Sequence, residues 1–231
     1  MDTSASPASA TFRPGRYWTF IGLLCSTALG MSYFVHRQLS ALYPVANSLP
    51  VLAHVEHDCE ATERSGAIVH LSSLRGKVSA VAYIYTVCPH GCAVVTGEML
   101  KLKKQFGKNP DFQLVSVSVA PERDTAPFLQ SYAQGIGLSS SDPWWFVTGD
   151  RQKLSGFMTN ELNLAEPRPI PESERLNPLD LYQHDLRVVL VDRNGNVRGY
   201  YDVFHPQPEI ASIYTERLPK DIKKLLDNPG A

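Results

Sequence analysis

The chain has 231 residues, 43% of them hydrophobic and 19% charged, which suits one ordinary folded domain with extensions, or two small ones. A formal net charge of -1, with no Lys/Arg run and no aromatic–basic stripe, argues against nucleic acid or anionic lipid as a partner recognised by bulk charge. Four cysteines are too few for a disulfide framework, and their uneven placement (Cys25, Cys59, then Cys88 and Cys92 four apart) predicts one functional pair and two bystanders.

Tyr17 to Val35 is an uncharged run of 19 residues. At about 1.5 Å per residue it nearly reaches the ~30 Å of a bilayer core. Arg13 and Arg16 precede it and His36-Arg37 follow, while Tyr17, Trp18, Tyr33 and Phe34 stand at its ends, where amphipathic rings prefer the headgroup level. The pattern predicts an uncleaved transmembrane anchor over 17–36 behind a tail at 1–16. A core helix fits the Ser/Pro/Ala-rich leader poorly. A cleaved signal peptide would use Ala28-Leu29-Gly30, yet the apolar run continues past it. Lipid modification of Cys25 would require a small residue where Leu24 stands. The arginines before the segment favour an inside tail, with the rest of the chain in an oxidising compartment, the periplasm or the mitochondrial intermembrane space.

Residues 37–66 read as a stalk and an irregular lead-in, and 67–231 as the folded domain. Ala67 to Leu71 is a short strand, and Val78 to Tyr85 is a continuous apolar run typical of a strand buried on both faces. A helix is expected from Ala93 to Phe106, then a strand over Phe112–Val119, giving a parallel pair with a right-handed crossover. Thr125 to Gly135 is a helix with Thr125 as cap or Pro127 in the first turn. Trp144–Val147 is a strand, and Asp150 caps a helix running to about Leu162. Residues 165–180, with Pro167, Pro169, Pro171 and Pro178 among four acidic residues, form a long loop of the kind that often carries function. Leu186–Val191 and Asn196–Val203 form a hairpin around Asp192-Arg193-Asn194-Gly195. A helix from Pro208 to Asp227, broken at Pro219, closes the chain. This order predicts an α/β sandwich with a mixed sheet that resembles thioredoxin.

Cys88 and Cys92 fall at the carboxyl end of a buried strand where a helix begins, which is where α/β sheets place their sites. The helix N-terminus favours the thiolate, and the i, i+4 spacing sets both sulfurs on one side of the first turn. They can form a disulfide or grip one soft metal ion. The wide spacing weakens a thioredoxin-type exchange reading, and two thiols alone are two short of a structural zinc site. Soft thiolates with one imidazole suit Cu(I), or Cu(II) with a further oxygen ligand. A third ligand therefore discriminates. Of seven histidines, His184 stands just before the hairpin strand, a junction that in a thioredoxin-like fold faces the cysteine-bearing helix.

The landmarks Tyr85-Thr-Val-Cys-Pro-His-Gly-Cys92, Val117-Ser-Val-Ala-Pro-Glu-Arg-Asp-Thr-Ala126 and His184-Asp-Leu-Arg-Val-Val-Leu-Val-Asp-Arg-Asn-Gly195 resemble, in order, those of the Sco/SenC family over about residues 68–204. The resemblance implies a membrane-anchored copper protein of thioredoxin fold, with copper on the residues matching Cys88, Cys92 and His184. It also implies a role in delivering copper to, or reducing the thiols of, the binuclear copper site of cytochrome c oxidase. That makes a metallochaperone rather than a turnover enzyme. A thiol–disulfide oxidoreductase using Cys88 and Cys92, or a membrane-tethered redox sensor, are the alternatives. Two departures stand out: His90 replaces the family's usual acidic residue, and Ala120 its usual aspartate. His90 reads as an additional ligand, a base beside a thiol, or a solvated loop residue. Cys59, near His54, His57 and Asp58, reads as a free thiol in the lead-in or a second metal spot. Glu122-Arg123-Asp124-Thr125 reads as a structural loop and cap.

Overall fold

The structure is a computed structural model that describes residues 14–42 and 49–228. The leader before Pro14, residues 43–48 of the expected stalk and the last three residues lie outside the described residues. The chain divides into two units, one ending at Asn47 and the other starting at Ser48. The first is helix α1, Pro14–Leu42. Within it Tyr17–Gln38 is long and apolar enough to cross a membrane, and none of it is buried against protein. The second unit carries the chemistry.

Its core is a mixed eight-stranded sheet. In chain order the strands are β1 (Ala53–His54), β2 (Glu60–Glu63), β3 (Ile68–His70), β4 (Val78–Ile84), β5 (Phe112–Ser118) and β6 (Trp144–Thr148). A separate two-stranded ribbon holds β7 (Arg168–Pro169) and β8 (Tyr182–Gln183), and β9 (Val188–Val191) and β10 (Asn196–Tyr201) complete the main sheet. The spatial order is β1-β10-β9-β4-β5-β6-β2-β3, with β4, β5 and β6 parallel at the centre and antiparallel strands on both flanks. Helices α2 (Cys92–Phe106), α3 (Ala126–Gly135) and α5 (Pro208–Asp227) cover one face. A short helix α4 (Arg151–Gly156) and the π-type turn Phe157–Glu161 cover the other.

The period-2 alternation of a strand explains the three layers. Val78, Ala80, Ala82 and Ile84 face Val95, Met99 and Leu102 of α2, while Val81, Tyr83 and Tyr85 face Leu154, Met158 and Leu162. Every residue of β4 and β5 is buried. That is why the first reads as a nearly continuous apolar run rather than an alternating one, while the second buries Gln113, Ser116 and Ser118 among its apolar residues.

The structure departs from the sequence expectations in four places. β1 and β2 arise inside the stretch expected to be irregular, with β2 hydrogen-bonded to both β3 and β6. Its sequence, Glu-Ala-Thr-Glu, has charged ends and no run of β-formers, so it pairs because its neighbours offer edges. The strand expected at 67–71 is Ile68–His70, and a 3-10 turn takes over from Leu71. The helix capped by Asp150, whose carboxylate accepts Lys153 N–H at 2.9 Å, reaches Glu161 much as expected, but it changes from α to π winding after Gly156. Helix α5 runs unbroken through Pro219. A proline there removes one helical hydrogen bond, but Leu218, Ile222 and Leu225 bury apolar side chains on both sides of it and hold the two halves in one helix.

Glu161 ties the lead-in to the π-type turn, accepting Glu56 N–H at 2.6 Å, His57 N–H at 3.2 Å and His57 Nδ1 at 2.8 Å. Burial alone would raise its pKa, but these donors outweigh burial and lower it. A carboxylate with a depressed folded-state pKa stabilises the fold above its ordinary pKa and loses that contribution as pH falls through the folded value. Glu161→Gln is expected to lose about 1–2 kcal/mol near neutral pH. Urea unfolding at a series of pH values should show the gap to the parent chain closing once pH drops below the ordinary value of 4.5.

Candidate metal centre

Strand β4 ends at Ile84, and the chain turns at once, with Cys88 N–H donating to the Tyr85 carbonyl at 3.0 Å. Gly91 caps α2, its carbonyl accepting Val94 and Val95 N–H at 3.0 and 3.1 Å. A Cβ at position 91 would lie 2.6 Å from Leu186 Cδ1 and closer still to the Phe204 ring, so only glycine lets the loop sit this tightly. Cys92 is thus the first helical residue and buried, while Cys88 remains half-buried at the turn.

His184 arrives from the opposite direction, between β8 and β9. Its Nε2 lies 3.1 Å from Cys92 Sγ, and its Nδ1 lies 2.8 Å from the Asp185 carbonyl oxygen. A carbonyl can only accept, so Nδ1 carries a proton and Nε2 is the nitrogen turned toward the cysteines. Tyr83 and Tyr85 hold the ring edge-on, with centroids 6.0 and 6.5 Å away. Asp185 anchors the junction by accepting Ala165 N–H at 3.0 Å and Arg187 Nη2 at 2.6 Å.

The donor atoms of Cys88, Cys92 and His184 all lie within 4.8 Å of one another, the single such group among the described residues. Metal bonds of about 2.0–2.3 Å place adjacent donors roughly 4 Å apart in a three-coordinate site, so closing the set around an ion needs little movement. Two sulfurs and one imidazole form a soft donor set that suits copper. The thiols are electrostatically unequal. Cys88 is lowered to about 3, chiefly by the hydrogen bond from Cys92, against desolvation, with further help from His184 and the backbone N–H groups of Cys92 and His90. Cys92 is pushed far up by that same bond and by its burial. The result is a thiolate backed by a thiol.

Carboxylates frame this loop. Asp124 is fully buried and accepts Thr86 Oγ1 at 2.6 Å and Ser118 Oγ at 3.0 Å. Glu122 pairs with Arg151 at the surface, and Thr125 stands at the N-cap of α3 without a side-chain capping bond. The Pro-rich loop is a flap rather than loose chain. The ribbon of β7 and β8 folds it back, the Tyr85 hydroxyl donates to the Leu179 carbonyl, and fully buried Asp180 bonds His90 Nε2 at 3.0 and 3.1 Å. His90, an acidic position in the resembling family, therefore meets a carboxylate supplied by the flap. Ala120, the other departure, is buried in the apolar layer.

The Cys59 neighbourhood does not form a second cluster. Cys59 is buried rather than in an open loop, and its thiol points at the Glu60 and Lys153 carbonyls. His54, His57 and Asp58 each pair elsewhere, with Asn196, Glu161 and His70. Asp180 and Tyr83 are site-framing residues that the sequence does not single out, and Asp124, read there only as part of a structural loop and cap, is a third.

A sequence profile of the SCO1/SenC family matches residues 50–218. The SCO1 protein homolog of Bacillus subtilis is 32% identical over 143 residues, spanning 60% of this chain and 73% of that protein. A solved structure of BsSco, which carries a disulfide switch and is a member of the Sco family of cytochrome c oxidase assembly proteins, superposes with a TM-score of 0.60 at 25% identity. It covers 77% of this chain and 97% of BsSco. Bradyrhizobium japonicum ScoI, solved with copper bound, shares the fold at a TM-score of 0.55 and 21% identity, over 71% of this chain and 98% of that one. Because the family profile matches residues 50–218, well over half of the sequence, the chain belongs to the SCO1/SenC family.

Proposed function

We propose that this protein binds one copper ion through Cys88, Cys92 and His184 and assists assembly of the binuclear copper site of cytochrome c oxidase. The observation that carries the reading is the convergence of two sulfurs and one imidazole nitrogen, from two distant parts of the chain, within 4.8 Å. Copper bound in a related fold and the assembly role of the Sco family support the choice of ion and partner. In the proposed layout the tail at 1–16 stays inside, 17–36 anchors the chain as a single membrane pass, and a stalk leads to the folded part. That part faces the periplasm or the mitochondrial intermembrane space. Copper is the cargo, and the chain's residues bind, orient and release it.

The unequal thiols favour a second reading as a thiol–disulfide oxidoreductase toward partner cysteines. A half-buried low-pKa thiolate beside a buried thiol is the arrangement of an attacking and a resolving cysteine. Anaerobic titration of the full chain in detergent with Cu(I), followed by X-ray absorption, separates the two. Two sulfurs and one nitrogen around one copper support copper carriage. Failure to bind while the dithiol still exchanges with glutathione would leave only the oxidoreductase.

A further inference from the structure

We propose that His90 is a fourth, exchangeable donor that takes up the incoming metal ion ahead of the Cys88–Cys92–His184 set. The inference rests on the copper reading above and assigns the order in which the ligands act.

His90 sits between the two cysteines and lines, with Cys88 and His184, a cleft of about 340 Å³. Its Nε2 faces both oxygens of Asp180 at 3.0 and 3.1 Å. A carboxylate accepts, so Nε2 carries a proton and Nδ1 is the nitrogen positioned to coordinate a metal ion. A buried carboxylate behind an imidazole fixes its tautomer and raises its basicity toward a metal. His184 has the mirrored arrangement, with Nδ1 held by the Asp185 carbonyl and Nε2 turned to Cys92. The cleft thus presents two imidazoles, each with one nitrogen anchored by an oxygen acceptor.

The two differ in position. His184 belongs to the three-donor group and His90 does not, so His90 stands outside the resident set. Its side chain is 40% exposed, whereas Cys92 is 5% exposed. An ion reaching the cleft therefore meets Cys88 and His90 before Cys92. The cleft also carries the carboxylate of Glu174 and neither lysine nor arginine, a field that attracts a cation.

The transfer proceeds by ligand substitution with no change of oxidation state. Cu(I) arrives on a donor's ligands. The Cys88 thiolate and His90 Nδ1 form bonds to it as the donor's ligands leave. Cys92 then releases its proton to solvent and binds as thiolate, and His184 Nε2 replaces His90. His90 returns to the mouth of the cleft, available to the acceptor on the way out.

The test is His90→Asn in the full chain in detergent. Asparagine keeps an N–H donor for Asp180 and removes the imidazole lone pair. The transfer rate of Cu(I) from a bathocuproine complex is expected to fall by about tenfold or more, while equilibrium affinity changes by less than about threefold. X-ray absorption of the loaded variant should still report one nitrogen. A rate within about twofold of the parent overturns the proposal, and so does a parallel loss of rate and affinity, which would make His90 a resident ligand. Added imidazole should restore the rate of His90→Ala, which a purely structural clasp would not allow; no restoration also overturns it. If the parent chain itself takes up no copper, the copper reading fails first and this inference with it, an outcome seen before any variant is compared.

Discussion

Replacing His184 by alanine is expected to abolish copper retention at the site while leaving the dithiol intact. His184 supplies one of three donors, and its Nε2 already lies 3.1 Å from Cys92 Sγ. Removing a group that merely orients a ligand typically lowers metal affinity by about 10–100-fold. Deleting the ligand itself should exceed that, so a loss of at least about a hundredfold is expected in competition with a Cu(I) chelator. Dithiol chemistry should survive because the largest influence lowering Cys88 is the hydrogen bond from Cys92, with His184 secondary. The thiol–disulfide midpoint against glutathione should shift little. Thermal stability should fall only modestly, since the half-exposed ring contributes edge contacts to Tyr83 and Tyr85 rather than core volume. A variant that held copper as tightly as the parent would remove His184 from the ligand set.

The reason Cys88 and Cys92 were legible in the sequence is local. An apolar run ends, a Pro-x-Gly turn follows and helical periodicity starts, all within about 20 residues, and β4 and α2 form as that pattern requires. His184 needed more, because its contact with Cys92 spans 92 residues and only the topology of the resembling family brings the two together. Asp180 was beyond reach. It is one of four acidic residues in the Pro-rich loop, and nothing near it in sequence marks it as the fully buried one whose partner His90 lies 90 residues earlier. Strand β2 was missed for a related reason. Four residues with burial alternating exposed and buried offer no hydrophobic run, and the hydrogen bonds that make them a strand come from β3 and β6. Pro219 misled in the opposite direction, since local propensity gives way where apolar anchors flank the proline. Local physics placed the nucleophiles; the groups that orient them are non-local.

Asp124→Ala should cost the fold substantial stability while leaving all three donors in place. The carboxylate is fully buried and joins the turn after β5 to Thr86, two residues before Cys88. Truncation strands the hydroxyls of Thr86 and Ser118 and opens a small void, together worth about 2–4 kcal/mol. For a domain of this size that corresponds to a melting-temperature drop of roughly 5–15 °C. Asp124→Asn separates geometry from charge. Burial raises the Asp124 pKa, with Thr86 and Ser118 pulling partly back, so the folded state resists the ionised form. A neutral amide removes that penalty and keeps an acceptor for one hydroxyl, while the other can rotate to accept from the amide. Asparagine should therefore lie within about 1 kcal/mol of the parent. The sign with pH follows from the raised folded value. The native state binds this proton more readily than the unfolded chain does, so Asp124 contributes more as pH falls toward its ordinary value of 3.8 and loses that contribution as pH rises. The asparagine chain should lack that pH-dependent component. Equal destabilisation by alanine and asparagine would mean that the buried charge, not the bridge between Ser118 and Thr86, holds the cysteine turn in place.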